Sequence, residues 1–110
     1  MSQTKPLSAR EKIARLRVNF LEQLPARIAQ AHVLFERIKA DRMDRAAAVE
    51  LHRLLHSLKG TGQSFGFREL GGVATQGESL AGTLLNLPAQ KAVAGWQEKL
   101  ADLLSHLEIV

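Results

Sequence analysis

A chain of 110 residues with 45% apolar side chains is long enough for one cored domain and too apolar to stay disordered. It has no cysteine, which excludes a disulfide framework and a thiolate metal site, and no apolar run approaches the length of a membrane span. The charge of +4 and pI near 10.0 leave an acidic partner open, while aromatics at 5% give a base-stacking platform little to be built from.

The segment 1–7 is polar and lacks the apolar core of a signal peptide, so it reads as a flexible leader before a domain at 8–110 in a soluble, cytoplasmic protein. Ser8 with Glu11 forms a capping-box pattern that opens the first helix. Ile13, Leu16, Phe20 and Leu24 recur at helical spacing, with Val18 and Leu21 widening the stripe. Pro25 either breaks that helix or sits in the first turn of a second one, whose apolar face is Ile28, Ala31, Leu34, Phe35 and Ile38. Asp44 can cap a third helix, which runs through Ala46, Ala47 and Ala48 to a stripe of Leu51, Leu55 and Leu58.

Gly60, Gly62 and Gly66 weaken the end of that helix and mark a turn before Phe67. A fourth helix carries Leu70, Val73, Ala74, Gly77, Ala81 and Leu84 on one face. Asn86-Leu87-Pro88 starts the last, which buries Val93, Trp96, Leu100, Leu103, Leu104 and Leu107. No segment alternates with period two, so no strand is expected. The fold class is therefore all-α: an antiparallel four-helix bundle with an additional N-terminal helix.

One position stands apart. His56 lies roughly 100–140° from the third helix's leucine stripe, on its exposed side. At i+4, where a side chain would stand over the imidazole, the sequence has Gly60, and Lys59 adds a cation beside it. On the fourth helix Glu78 falls at the edge of the core stripe, next to Ala74 and Ala81, within reach of the third helix. A carboxylate accepting from Nδ1–H would leave Nε2 as the free, more basic nitrogen, which is what phosphoryl transfer asks of a histidine.

These residues carry a family resemblance. His56-Ser57-Leu58-Lys59-Gly60, with Gly66 six residues beyond Gly60, resembles the signature of histidine-containing phosphotransfer (HPt) domains. Leu55, Phe65-Gly66 and Gly77-Glu78-Ser79-Leu80 extend the likeness, which runs from about Leu16 to Leu107. The resemblance implies a four-helix bundle whose histidine accepts a phosphoryl group from a receiver-domain aspartate or a kinase and passes it to another receiver. It assigns the acceptor role to His56, a phosphate-facing positive role to Lys59 and steric access to Gly60. Glu78 matches a glutamate found in chemotaxis-kinase members, where many phosphorelay relatives carry glutamine.

On this reading the chain is a phosphoryl carrier and no enzyme in its own right. It needs no cofactor or metal, Mg²⁺ being expected on the partner receiver. Its expected partners are receiver domains of response regulators or hybrid sensor kinases, met on a patch that includes Val49, His52, Gly60 and Gln63. A monomer is expected, with no membrane partner. Two alternatives remain open: a scaffold of the same fold that binds a receiver without transfer, and a basic helical nucleic-acid binder. His52 and His56 at i,i+4 could bind a metal, but no third ligand is evident.

Overall fold

The structure, a computed structural model, describes residues 8–41, 44–86 and 95–109. It contains α1 (Ala9–Ala40), α2 (Arg45–Ser64), α3 (Arg68–Asn86) and α4 (Trp96–Ile109), with no strand among the described residues. Each helix packs on its neighbours around a square: α1 on α2, α2 on α3, α3 on α4 and α4 back on α1. The leader, the Leu87-Pro88 link and Val93 lie outside the described residues, as does the side chain of Trp96.

Local chemistry sets most helix ends. The Ser8 hydroxyl accepts from the Glu11 amide at 3.1 Å, and the Asp44 carboxylate accepts from the Ala47 amide at 3.0 Å. Arg37 reaches across the connection to Asp44 at 3.1 Å and 3.2 Å, tying α1 to the start of α2. Gly60 and Gly62 do not end α2, which continues to Ser64. Its stop is a Schellman motif: the Phe67 amide donates to the Gly62 carbonyl at 2.8 Å and the Gly66 amide to that of Gln63 at 3.2 Å. Gly66 sits at φ +82°, the left-handed conformation that this motif requires.

The core follows the apolar spacing closely. Leu51, Leu55 and Leu58 of α2 meet Leu70, Val73, Ala74 and Leu84 of α3, with Leu100, Leu104 and Leu107 of α4 closing the other side.

The expected break at Pro25 is absent. The two amino-terminal helices are one continuous α1, so the additional helix is the front half of the first bundle helix. An interior proline loses a backbone hydrogen bond and crowds the preceding turn, at a cost of about 3 kcal/mol. Packing offsets that cost. Phe20 and Leu24 before the proline, and Ile28 and Ala31 after it, are all buried on the same bundle. A break would throw the two halves of that stripe out of phase.

A second expectation fails further forward. Ile13, Leu16, Val18 and Leu21 belong to the expected apolar stripe yet are 55%, 55%, 52% and 45% exposed. Every residue from Ala9 to Asn19 is exposed. Those eleven residues carry α1 about 16 Å beyond its first buried side chain. The reason is tertiary: α2 ends and α3 begins at the Phe65–Phe67 turn, so among the described residues no helix buries the front of α1. Phe20 is the first buried side chain of α1, 5.7 Å from the Phe65 ring and 5.9 Å from the Phe67 ring.

Candidate functional site

The burial of Leu51, Leu55 and Leu58 fixes the rotation of α2 and turns His56 outward, with its side chain 64% exposed. The burial of Ala74, Gly77 and Ala81 does the same for α3 and sets Glu78 on the flank that faces α2. Close packing of the two helices brings these side chains together. At Gly77, an added Cβ would lie 3.0 Å from Leu55 Cδ1. A second close approach occurs where Gly62 meets Gly71, since a Cβ on Gly62 would lie 3.3 Å from the Gly71 backbone nitrogen.

Three side chains meet at one carboxylate. Glu78 Oε1 lies 2.7 Å from His56 Nδ1, and Oε2 lies 2.8 Å from Lys59 Nζ. His52 Nε2 stands 3.9 Å from the same Oε1, outside hydrogen-bond range. The hydrogen bond from Lys59, and after it that from His56, holds the Glu78 carboxyl below the ordinary glutamate range, against an opposing effect of burial. Its two oxygens are then acceptors only, so the proton of the short contact belongs to Nδ1 of His56. In the neutral ring this leaves the lone pair on Nε2, and among the described residues no group hydrogen-bonds that nitrogen.

The sequence places Lys59 facing an incoming phosphate; in the structure its ammonium is bound to Glu78. Gly60 is exposed, and the space where its side chain would project is open, with no atom within 4 Å of an added Cβ. Val49 and His52 are half-buried on α2, and Gln63 is exposed but lies back against Gly71 of α3. The sequence reading passes over the α3 side of the patch, where Thr75, Ser79, Gly82 and Thr83 line a shallow groove with His52, Lys59 and Glu78. Gly82 leaves room for the His52 ring, which would stand 3.5 Å from a Cβ there. Small residues at i−3, i+1 and i+4 from Glu78 were the available signal. Among the described residues, no group of three or more His, Asp or Glu side chains is arranged to hold a metal ion.

Fold and site together define a helical bundle that presents one carboxylate-oriented histidine on an open helix face. The family model described as the Hpt domain matches residues 15–109, and the chain belongs to that family. It is thus a histidine phosphotransfer module of phosphorelay signalling, of a family whose members carry phosphoryl groups and interact with receiver domains. No curated protein and no solved structure gives a significant match. None of the described helices is long and apolar enough to cross a membrane.

Proposed function

We propose that His56 is the phosphoacceptor, taking its phosphoryl group from a receiver-domain aspartate and passing it to another receiver. The observation that carries this reading is the 2.7 Å contact between Nδ1 and Glu78, which leaves Nε2 as the outward nucleophile. In the forward step the Nε2 lone pair attacks phosphorus as the bond to the aspartate oxygen breaks, and the carboxylate leaves with that electron pair. The positive charge that develops on the ring is met by the Glu78 carboxylate through the Nδ1 proton. Onward transfer is the reverse displacement by a second aspartate, which restores the neutral ring.

In this proposal Lys59 first holds Glu78 in place and then offers its ammonium, a mobile point charge, to the phosphoryl oxygens. Gly60 keeps the line of approach open. The divalent ion and the remaining catalytic groups are supplied by the receiver, and the chain itself works in the cytoplasm as a monomeric carrier. Modest affinity suits the task, because each partner must leave before the next arrives.

The test is incubation of the protein with a phosphorylated receiver, followed by assay for an acid-labile, base-stable label. Label on the wild type and none on His56→Gln is the expected result. Absence of label on the wild type would instead favour a receiver-binding scaffold.

A further inference from the structure

The bare front of α1 has an ordered distribution of charge. At about 100° per residue, Ile13, Leu16, Phe20 and Leu24 fall within an arc of roughly 80°, so the exposed pair continues a stripe whose far end is core. Arg10 and Arg17, seven residues apart, lie together along one edge of that stripe. The Arg17 guanidinium is 4.6 Å from the centre of the Phe67 ring, which shows that this edge faces the end of the bundle. Lys12 lies along the other edge, while Glu11, Arg15 and Glu22 fall on the back of the helix. Neither Arg10 nor Arg17 is paired with a carboxylate among the described residues.

The geometry points to a docking surface for an acidic amphipathic helix of a partner protein. Such a helix lies against the front of α1 above the Phe65–Phe67 turn and takes the place of the missing bundle neighbours. Its apolar side chains cover Ile13 and Leu16. Two of its carboxylates, also seven residues apart, pair with Arg10 and Arg17 across about 10.5 Å, or two helical turns.

Two other occupants fit less well. A second copy would bring the same cations, Arg10, Arg17 and Lys12, to the edges of the same stripe, with no carboxylate on either edge to meet them. A lipid surface needs the cations on both edges of the stripe to reach headgroups, whereas Arg17 is held 4.6 Å over the Phe67 ring at the end of the bundle. A carboxylate-bearing helix satisfies both the stripe and the arginines. This surface does not depend on the acceptor role of His56.

The experiment uses the whole protein, labelled with ¹⁵N, and two synthetic amphipathic peptides. Both carry leucine along one face; one has glutamate every seventh residue beside it and the other has lysine there. The acidic peptide is expected to shift the amide resonances of residues 9–21 and of Phe67, and the lysine peptide to leave them unmoved. The Arg10→Glu/Arg17→Glu protein should bind the acidic peptide about tenfold more weakly, a loss of about 1.4 kcal/mol, with unchanged helicity. Leu16→Glu, at an exposed site outside the core, should also weaken it. Equal affinity for the two peptides, no response to the acidic one, or no effect of the double charge reversal would overturn the proposal. So would a concentration-dependent dimer that covers residues 9–21, or binding of phosphatidylglycerol vesicles in preference to the acidic peptide.

Discussion

Nδ1 of His56 and Oε1 of Glu78 stand 2.7 Å apart although 22 residues separate them along the chain. The contact exists because two apolar stripes, one on α2 and one on α3, rotate these polar positions to the same helix–helix boundary. It gives the ring a defined tautomer without burying it. Removing the carboxylate as Glu78→Ala should slow phosphorylation of His56 about 10- to 100-fold, the range typical for losing the group that orients a histidine. The bundle should remain folded, because its core is built from apolar side chains and Glu78 lies at the edge of that core. Imidazole ¹⁵N shifts report the tautomer directly, and identical ring spectra in the two proteins would contradict the assigned role.

The same carboxylate predicts a pH dependence. Its titration is displaced below the ordinary value of 4.5, first by the hydrogen bond from Lys59 and then by that from His56. A carboxyl more acidic in the folded than in the unfolded chain binds its proton less readily when folded. Its stabilising contribution is therefore complete above about pH 4.5 and disappears as the pH falls through the lower folded value. Thermal melts in the acid range should show the wild type losing stability more steeply than Glu78→Gln. Parallel curves would mean that the contact has no thermodynamic effect.

Gly60 separates access from stability. No atom lies within 4 Å of an added Cβ, and the residue is inside a helix that glycine weakens. Gly60→Ala should raise stability by about 0.5–1 kcal/mol. Gly60→Arg should fold equally well yet fail to accept phosphate from a receiver, since its side chain stands beside the imidazole. An unaltered transfer rate in the arginine variant would remove Gly60 from the mechanism.

Gly62 answers to a different constraint. Its missing side chain permits the 3.3 Å approach to the Gly71 backbone, and backbone cannot yield as a flexible side chain can. Gly62→Val should cost about 1–3 kcal/mol through forced separation of α2 and α3. Gly72 is the control, with open space around it, and Gly72→Ala should be neutral or stabilising. Denaturant midpoints of the two variants distinguish these positions, and equal midpoints would argue against a tight crossing.

Pro25 is exposed inside a continuous helix. Restoring the missing amide donor with Pro25→Ala should raise the melting temperature, by an amount corresponding to at most about 3 kcal/mol. A drop in melting temperature would show that the proline is needed for the course of α1.

Much of the bundle and of the candidate site was legible in the chain. The stripes of α2, α3 and α4, the Ser8 and Asp44 caps and the Gly66 turn all follow from spacing and local chemistry acting over four or five residues. The outward position of His56 and the flank position of Glu78 follow from the same arithmetic, because a helix rotates by a fixed step and its apolar side must face inward. What those periodicities could not decide were questions of partners. Pro25 reads as a break because its local penalty is visible, while the burial of Phe20, Leu24, Ile28 and Ala31 that outweighs it depends on the other helices. Ile13 and Leu16 match Phe20 in spacing, yet only the bundle's length settles that Phe20 is buried and they are exposed. Lys59 reads as a free cation until α3 brings a carboxylate to within 2.8 Å of it. Which side of each helix is apolar can be read from the chain, since that pattern is carried by each segment alone. The tertiary structure decided what each side meets, since a contact requires two segments and the chain records only one at a time.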